Sequence, residues 1–312
     1  MRAGYVGRMS AAVGKGSFIP SSMSGVRLWL DASDASTFTS GYQNLTSTVT
    51  GTIGQFTLVC TGDESTRVFA NMSVRIDGAD LYVVASVATS LGVTTITTVG
   101  ALSASYVAKV CATLRISQWN DKSGSANHVT QGTAASQPTI YPNIVNGKSN
   151  LWFDGGDQLT FPSGLYTIPN GDNTCFCLSR ILAESGAAQY FWSFTEAGSV
   201  RHYLRSSATA GNNLYLNSTV TTGGVSSTGS TNTNNLIKTA FKSGTTLSLS
   251  INNAVAATNT SGANESGIDG GAIGALAGGG FLTGAIAEII MFNRVLSAAE
   301  ISRVNTYLSR KW

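Results

Sequence analysis

Apolar and polar residues alternate over short stretches through most of this chain, and such alternation predicts half-buried β-strands. In Val26–Asp31 (VRLWLD), Val26, Leu28 and Leu30 fall on one face and Trp29 falls on the other. Further runs of this kind follow in the second half of the chain. They are Asn150–Phe153, Asp157–Phe161, Thr174–Leu182, Tyr190–Thr195, Arg201–Arg205, Leu214–Leu216, Asn235–Phe241, Thr246–Ile251 and Gly284–Phe292. The pattern therefore predicts an all-β chain.

A second group of short β-rich runs occupies residues 44–113. They are Phe56–Cys60, Met72–Ile76, Leu81–Val87, Thr94–Val99 and Tyr106–Ala112. Their close spacing predicts a small antiparallel barrel or sandwich. Because this group separates Val26–Asp31 from the later strands, we interpret residues 44–113 as a module inserted into a domain formed by residues 25–43 and 114–312.

One α-helix is predicted at the end of the chain. Ser297 and Glu300 have the spacing of a capping box, in which each side chain accepts a hydrogen bond from the backbone N–H of the other residue. Ile301, Val304 and Leu308 then form one apolar stripe, so the helix should pack against the strands.

Two stretches interrupt the strand pattern. Ser218–Asn234 is almost wholly Ser, Thr, Gly and Asn, and Thr258–Gly280 is rich in Gly with only Glu265 and Asp269 charged. Both are predicted to be long exposed loops. Such loops either recognise a partner or are tolerated surface variation, and the sequence leaves both interpretations open.

The charges of the chain are few and unevenly placed. Charged residues make up 11% of the chain and the net charge is +3. Residues 1–24 contain bases but no acid, and the rest of the chain is balanced, which predicts no nucleic-acid surface. We interpret residues 1–24 as an arm that attaches to a neighbouring subunit, and the side chains expected to make that contact are Arg2, Tyr5, Arg8, Lys15 and Phe18.

The cysteines and histidines argue against a zinc site, because the chain has only two histidines and no CxxC pair. Cys60 and Cys111 bracket most of the insert and either pair or stay free. Cys175 and Cys177 share one face of a strand and are not expected to pair. The first residues lack the apolar core of a signal peptide, which predicts synthesis and folding in a cytoplasm.

Three segments together resemble a known family. They are Arg115–Phe153 (RISQWNDKSGS…NLWF), Val26–Thr37 (VRLWLDASDAST) and Gly284–Ile301 (GAIAEIIMFNRVLSAAEI). They resemble the concanavalin A-like, laminin-G-type sandwich of many bacteriophage virion proteins and bacterial surface proteins. This resemblance implies a jelly-roll β-sandwich with the inserted module and one C-terminal helix. The insert is similar to small barrel modules of phage tail and neck proteins.

The resemblance also implies roles for two turns. Trp119 would fill the core, while Asn120 and Asp121 would bond the backbone of the turn that follows. Asp154 and Asp157 lie in a turn (FDGGD) where they would either fasten the backbone or contribute to a calcium site. Two carboxylates are too few for calcium, which takes six to eight oxygens, so no cofactor or metal is predicted.

Catalysis is not predicted from the sequence. Relatives of this sandwich that hydrolyse glucans carry an E-x-D-x-x-E strand, and here Glu288 has Ile286 and Ile290 as its same-face neighbours. No nucleophile elbow, P-loop or HExxH motif is present. We therefore expect Glu288 to form a structural salt bridge or hydrogen bonds, and we expect the chain not to be an enzyme.

A cluster of aromatic residues in the middle strands is the candidate binding surface. Its members are Tyr190, Trp192, His202, Tyr203 and Tyr215. On alternating positions of a sheet they would either contact a glycan or fill the core, and the sequence does not decide between the two.

The predicted function follows from the family resemblance and the arm. It is a bacteriophage virion structural protein in the tail, fibre or baseplate, which presents a lectin-like sandwich to a host-surface glycan. The expected partners are other virion subunits, including copies of itself. The alternatives are a capsid decoration protein and a carbohydrate-binding module of a bacterial surface protein.

Overall fold

The computed structural model describes residues 18–70, 72–167, 172–181, 187–196, 199–206, 213–218, 225–228, 236–260, 267–276 and 279–312. Arg2, Tyr5, Arg8 and Lys15 of the predicted arm lie outside these residues, and so does most of 219–235. No helix among the described residues is both long enough and apolar enough to cross a membrane.

The described residues form antiparallel β-strands and one α-helix, so the prediction of an all-β chain with a C-terminal helix is confirmed. The strands of the first half are β1 (Val26–Asp31), β2 (Phe38–Gly51), β3 (Thr57–Cys60), β4 (Ser73–Ile76), β5 (Asp80–Ser90), β6 (Val93–Thr98), β7 (Tyr106–Trp119), β8 (Val129–Thr130), β9 (Thr139–Val145) and β10 (Lys148–Asp154). Those of the second half are β11 (Leu159–Thr160), β12 (Tyr166–Thr167), β13 (Asn173–Ile181), β14 (Tyr190–Glu196), β15 (Ser199–Ser206), β16 (Asn213–Ser218), β17 (Val225–Thr228), β18 (Leu236–Ser243), β19 (Thr246–Ile251), β20 (Ala257–Asn259), β21 (Gly267–Ile268), β22 (Gly270–Ile273) and β23 (Thr283–Phe292). The helix is α1 (Ala298–Lys311).

Strands β2 to β7 pair in a ring. The pairs run from β2 to β3, β6, β5, β4 and β7, and β7 closes on β2. Alternate residues of β3, β4 and β6 point inward, where Leu58, Val74, Ile76 and Ile96 are fully buried. This ring has a hydrophobic cluster of its own, formed by residues between 45 and 111.

The ring is joined to the rest of the chain through paired strands and not through a linker. β2 and β7 pair from Phe38 opposite Trp119 to Gly51 opposite Tyr106, so positions 43–44 and 113–114 fall inside this run of strand pairing. β2 was not predicted as a strand because its sequence is mostly Ser, Thr, Gly, Asn and Gln, and its long partner β7 supplies the pairing. The division into an insert and a surrounding domain stays a prediction.

β23 is the central strand of the remaining structure and is buried on both faces. It pairs with β1, β10 and β13. Ile286, Ile289 and Met291 face the main core, which also contains Trp119 and Phe153. The other face of β23 is covered by the helix.

The capping box and the apolar stripe of α1 are confirmed. The Ser297 hydroxyl accepts from the Glu300 N–H at 3.4 Å, and the Glu300 carboxylate accepts from the Ser297 N–H at 2.9 Å. Val304 and Leu308 are fully buried in the cluster that contains Ile290 of β23. The helix therefore lies on the sheet as its sequence predicts.

The prediction that Thr258–Gly280 is an exposed loop is wrong for its second half. β22 pairs with β14 and β11, and Ala272, Ile273 and Ala275 are buried. A Cβ on Gly271 would lie 2.0 Å from the Ser193 carbonyl oxygen. The low content of large side chains predicts an exposed segment, but between β22 and β14 it lets two backbones pack closely. Of Ser218–Asn234, the structure describes only Ser218 and β17.

Candidate ligand-binding pocket beside the C-terminal helix

A pocket of about 830 Å³ opens between the N-terminal segment, the end of β1 and one side of α1. Its volume is typical of small-molecule sites. Three aromatic residues line it together with charged and hydroxyl side chains. The lining residues are Phe18, Trp29, Asp31, Lys122, Ser302, Arg303, Thr306, Tyr307, Arg310 and Lys311.

The secondary structure brings these side chains together from distant parts of the sequence. Strand alternation in β1 sends Leu28 and Leu30 to the main core and Trp29 to the helix side. On α1, Arg303, Tyr307 and Arg310 follow the helical repeat and share one side. Val304 and Leu308, on the neighbouring side, attach the helix to the sheet.

Glu288 lies at the base of this region and is fully buried. One carboxylate oxygen accepts from Trp29 Nε1 at 2.7 Å and from the Tyr307 hydroxyl at 2.8 Å. The other accepts from Lys311 Nζ at 2.7 Å and from Trp312 Nε1 at 2.6 Å. The expected structural role of Glu288 is therefore present as four hydrogen bonds, one of them a salt bridge.

Asp31 stands opposite Glu288 in the β1–β23 register and shares its cation. Lys311 Nζ is 2.5 Å from Asp31 Oδ1 and 2.7 Å from Glu288 Oε2. Burial raises the pKa of Glu288 above its ordinary value, although the Lys311 ammonium opposes the change. Burial also acts on Asp31, but there Lys311, Ser33 and Lys122 outweigh it, so the pKa of Asp31 is lowered. Two neighbouring carboxyl groups are thus held with pKa values shifted in opposite directions.

Lys122 forms the rim of the pocket across from the helix. Its ammonium is 3.0 Å from Asp31 Oδ2 and 2.8 Å from Asp34 Oδ2, and it lies 4.6 Å from the centre of a Trp29 ring. Asp121 positions the turn that carries it, because its carboxylate accepts from the backbone N–H groups of Trp29, Ser123 and Asn127. The turn-bonding role predicted for Asp121 is confirmed.

Arg303 and Arg310 are the exposed cations of the pocket. The Arg303 guanidinium lies 4.8 Å from the centre of the Phe18 ring, and that ring meets Tyr307 edge to face at 5.8 Å. Within the described part of the chain neither arginine forms a salt bridge. The pocket therefore combines aromatic walls with two guanidinium groups that are free to donate to a polar ligand.

The aromatic residues predicted as a glycan surface divide between the two faces of the β14–β15–β16 sheet. Trp192 and His202 are fully buried in the core, where their rings meet at 5.1 Å. On the other face, Tyr190 lies 5.3 Å from Tyr203, and Tyr215 lies under the Arg205 guanidinium at 4.6 Å. Only Tyr190 and Tyr215 of this set are more than slightly exposed, and a glycan role for the set stays a prediction.

Acidification should destabilise the fold through His202. Burial, with a smaller contribution from the Lys242 ammonium, lowers the pKa of His202 to about 3. The unfolded chain takes up a proton near the ordinary pKa of 6.5, so stability present above that pH is lost as the pH falls toward the folded-state pKa. We expect a loss of about 2 kcal/mol between pH 7 and pH 5.

Urea unfolding of His202→Phe at both pH values tests this, since phenylalanine fills similar space and does not titrate. Between pH 7 and pH 5 the free energy of unfolding of the variant should fall by about 2 kcal/mol less than that of the parent. An identical pH dependence in the two proteins would contradict the assignment to His202.

The FDGGD turn is fastened by its own carboxylates. Asp157 accepts from the Asp154 N–H at 3.0 Å, and Asp154 accepts from the Gly156 N–H at 3.0 Å. Arg115 lies 3.8 Å from Asp157, which makes the place unfavourable for a cation. Within the described ranges no group of three or more His, Cys, Asp or Glu residues could hold a metal ion. All four cysteines are buried and free, including Cys60 and Cys111.

Sequence reasoning missed the pocket. The sequence pattern places Trp29 on one face of a strand and predicts no role for the side of α1 that carries Arg303, Tyr307 and Arg310. The feature of the sequence that indicates this wall of the pocket is the helical spacing of these three residues beside the apolar stripe. The pairing of Asp31 with Glu288 had no signal in the sequence, because only the strand register places them side by side.

No protein-family model matches the chain, and no curated protein matches it. Solved structures that resemble it include the sialidase of Trypanosoma rangeli, at 12% identity over 88% of this chain and 53% of that one, with a TM-score of 0.48. An arabinofuranosidase complexed with arabinofuranosyl-alpha-1,2-xylobiose matches at 12% identity over 84% of this chain and 61% of that one, with a TM-score of 0.48. The chain thus spans between 53% and 61% of the length of these structures.

These matches contradict the prediction that the chain is not an enzyme, because the proteins in question are glycoside hydrolases. The prediction is withdrawn. It relied on the absence of paired carboxylates, nucleophile motifs and metal clusters from the sequence, and strand pairing can bring distant carboxylates together, as it does for Asp31 and Glu288.

Proposed function

We propose that the chain is a glycan-binding adhesion protein and that the pocket beside α1 is its binding site. The observation that carries the proposal is the combination of aromatic walls and exposed guanidinium groups in one pocket. Sugars present apolar C–H faces together with many hydroxyl groups. Aromatic rings pack against the C–H faces, and charged donors such as Arg303 and Arg310 donate hydrogen bonds to the hydroxyl groups.

The finer description of the fold belongs to this proposal. We propose a concanavalin A-like jelly-roll sandwich formed by residues 25–43 and 114–312, with residues 44–113 as an inserted barrel module. Two features support it. The strands outside the ring enclose a core of their own, and the ring closes on itself. A virion location, with residues 1–24 attached to a neighbouring subunit and capsid decoration as the alternative, stays a prediction.

Exchanging both exposed arginines of the pocket tests the binding site. The full chain would be screened on an array of neutral, uronic-acid and sulfated glycans, and the affinity of each bound glycan would then be measured by titration calorimetry. In the double variant Arg303→Ala with Arg310→Ala we expect binding to weaken at least about tenfold, since each charged hydrogen bond contributes about 1.5–3 kcal/mol. The melting temperature should stay unchanged because both side chains are exposed.

Two controls separate the pocket from other surfaces. Arg27→Ala removes an exposed arginine that does not line the pocket and should leave binding intact. Tyr215→Ala tests the aromatic face predicted from the sequence. If Tyr215→Ala abolishes binding while the double arginine variant binds normally, the site is on β16 and the pocket assignment is wrong. If no glycan binds, the proposed function is wrong.

A further inference from the structure

One side of the ring formed by β2 to β7 carries no charged side chain. Residues 35–62, which include β2 and β3, contain no Asp, Glu, Lys, Arg or His, and neither do residues 81–108, which include β6 and all of β5 after Asp80. The ring's charges lie in residues 63–80 and at Lys109 and Arg115 of β7. A solvent-facing surface of this size without charge is unusual, because charged residues make up about a quarter of typical proteins.

The same side exposes large apolar residues in neighbouring rows. Thr50 pairs with Val59, and Val59 pairs with Thr95. Thr57 pairs with Thr97, and Val99 donates its N–H to the Val83 carbonyl at 2.8 Å. Val59, Val83, Val93 and Val99 are between 39% and 64% exposed. We call this surface, formed by β3, β5 and β6 with Thr57, Thr95 and Thr97 between the valines, the Val–Thr face.

The Val–Thr face can associate only through side chains. Every strand of the ring is paired on both sides, so the ring offers no free strand edge to extend a sheet. The β-branched residues make a flat and relatively rigid surface. Such surfaces lose little side-chain entropy when they pack against another surface. Contiguous exposed apolar patches of this kind mark interaction sites.

We propose that the Val–Thr face is the contact between two copies of this chain related by a twofold axis. A charge-free face is complementary to itself, because two copies meet without burying an unpaired charge. A partner with an ordinary charged surface would lose hydration of its charges and gain no ion pair. The face covers roughly 400 Å² on each copy, judged from three strands about 4.8 Å apart and their flanking residues. This total of about 800 Å² predicts a weak dimer.

Sedimentation equilibrium of the full chain, from low micromolar to near-millimolar concentration, tests the proposal. The parent should show a reversible monomer–dimer equilibrium. In Val83→Glu with Val99→Glu the dissociation constant should rise at least about tenfold, because four carboxylates would meet across the contact. Val83→Ser with Val99→Ser removes apolar area without adding charge and should weaken the dimer less. This milder pair keeps the test valid if the glutamate variant does not fold.

Two matched valines serve as controls. Val255 is 98% exposed outside the ring, and Val107 is 74% exposed on β7, the strand across the ring from β6. Val255→Glu and Val107→Glu should leave the dissociation constant unchanged. A parent that is monomeric at every concentration overturns the proposal. The proposal is also overturned if Val107→Glu disrupts the dimer while the glutamate and serine double variants of Val83 and Val99 both leave it intact. Neither result bears on glycan binding at the pocket.

Discussion

Replacing Glu288 by alanine is expected to lower the free energy of unfolding by about 3–5 kcal/mol, since each buried neutral donor that loses its acceptor costs about 1–3 kcal/mol. The substitution removes the acceptor of four hydrogen bonds and leaves the indole N–H groups of Trp29 and Trp312 buried without a partner. Buried donors that lose their acceptor carry the full cost of desolvation. Lys311 keeps Asp31 as a counter-ion, so the loss comes mainly from the neutral donors.

Chemical denaturation of three variants measures this effect. Glu288→Gln keeps the volume and one acceptor oxygen, so its loss should be smaller than that of Glu288→Ala. Glu300→Ala is the matched control, because it removes a half-buried carboxylate that bonds the start of the helix and Arg294, and it should cost about 1 kcal/mol. If Glu288→Ala and Glu300→Ala were equally stable, the hydrogen bonds of Glu288 would not be the main attachment of α1 to the sheet.

Replacing Gly271 by alanine is expected to cost about 3 kcal/mol or more, or to prevent folding. Gly271 has a φ of 128°, which L side chains rarely adopt, and an added Cβ would lie 2.0 Å from the Ser193 carbonyl oxygen. The clash is with backbone and cannot be relieved by a rotamer change, so β22 would separate from β14. Ile273, which is fully buried, would then lose its contacts in the core.

Soluble yield and resistance to limited proteolysis detect this effect even when unfolding cannot be measured. Gly132→Ala is the matched control, because nothing lies within 4 Å of its added Cβ. It should behave like the parent. If Gly271→Ala were also soluble and equally stable, β22 would not be a tightly packed core strand, and the original interpretation of Thr258–Gly280 as a loop would be restored.

The sequence by itself determined most elements of secondary structure. Period-two alternation placed β19 at its observed bounds, and it placed β3, β4, β5 and β6 within three residues of theirs. It missed β2 and ended β7 seven residues too early. The capping box placed the start of α1. These signals are local: a strand side chain points to one face or the other, and a helix needs acceptors for its first N–H groups, whatever lies far away in the chain.

The tertiary structure alone decided which side chains meet. The β1–β23 register set Asp31 beside Glu288, and the packing of α1 brought Arg303 and Tyr307 to Trp29 and Phe18. It also made a core strand of the glycine-rich β22 and a long strand of the polar β2, because the partners β14 and β7 complete their hydrogen bonds. Burial depends on what packs against a segment, and a segment's own composition does not contain that information.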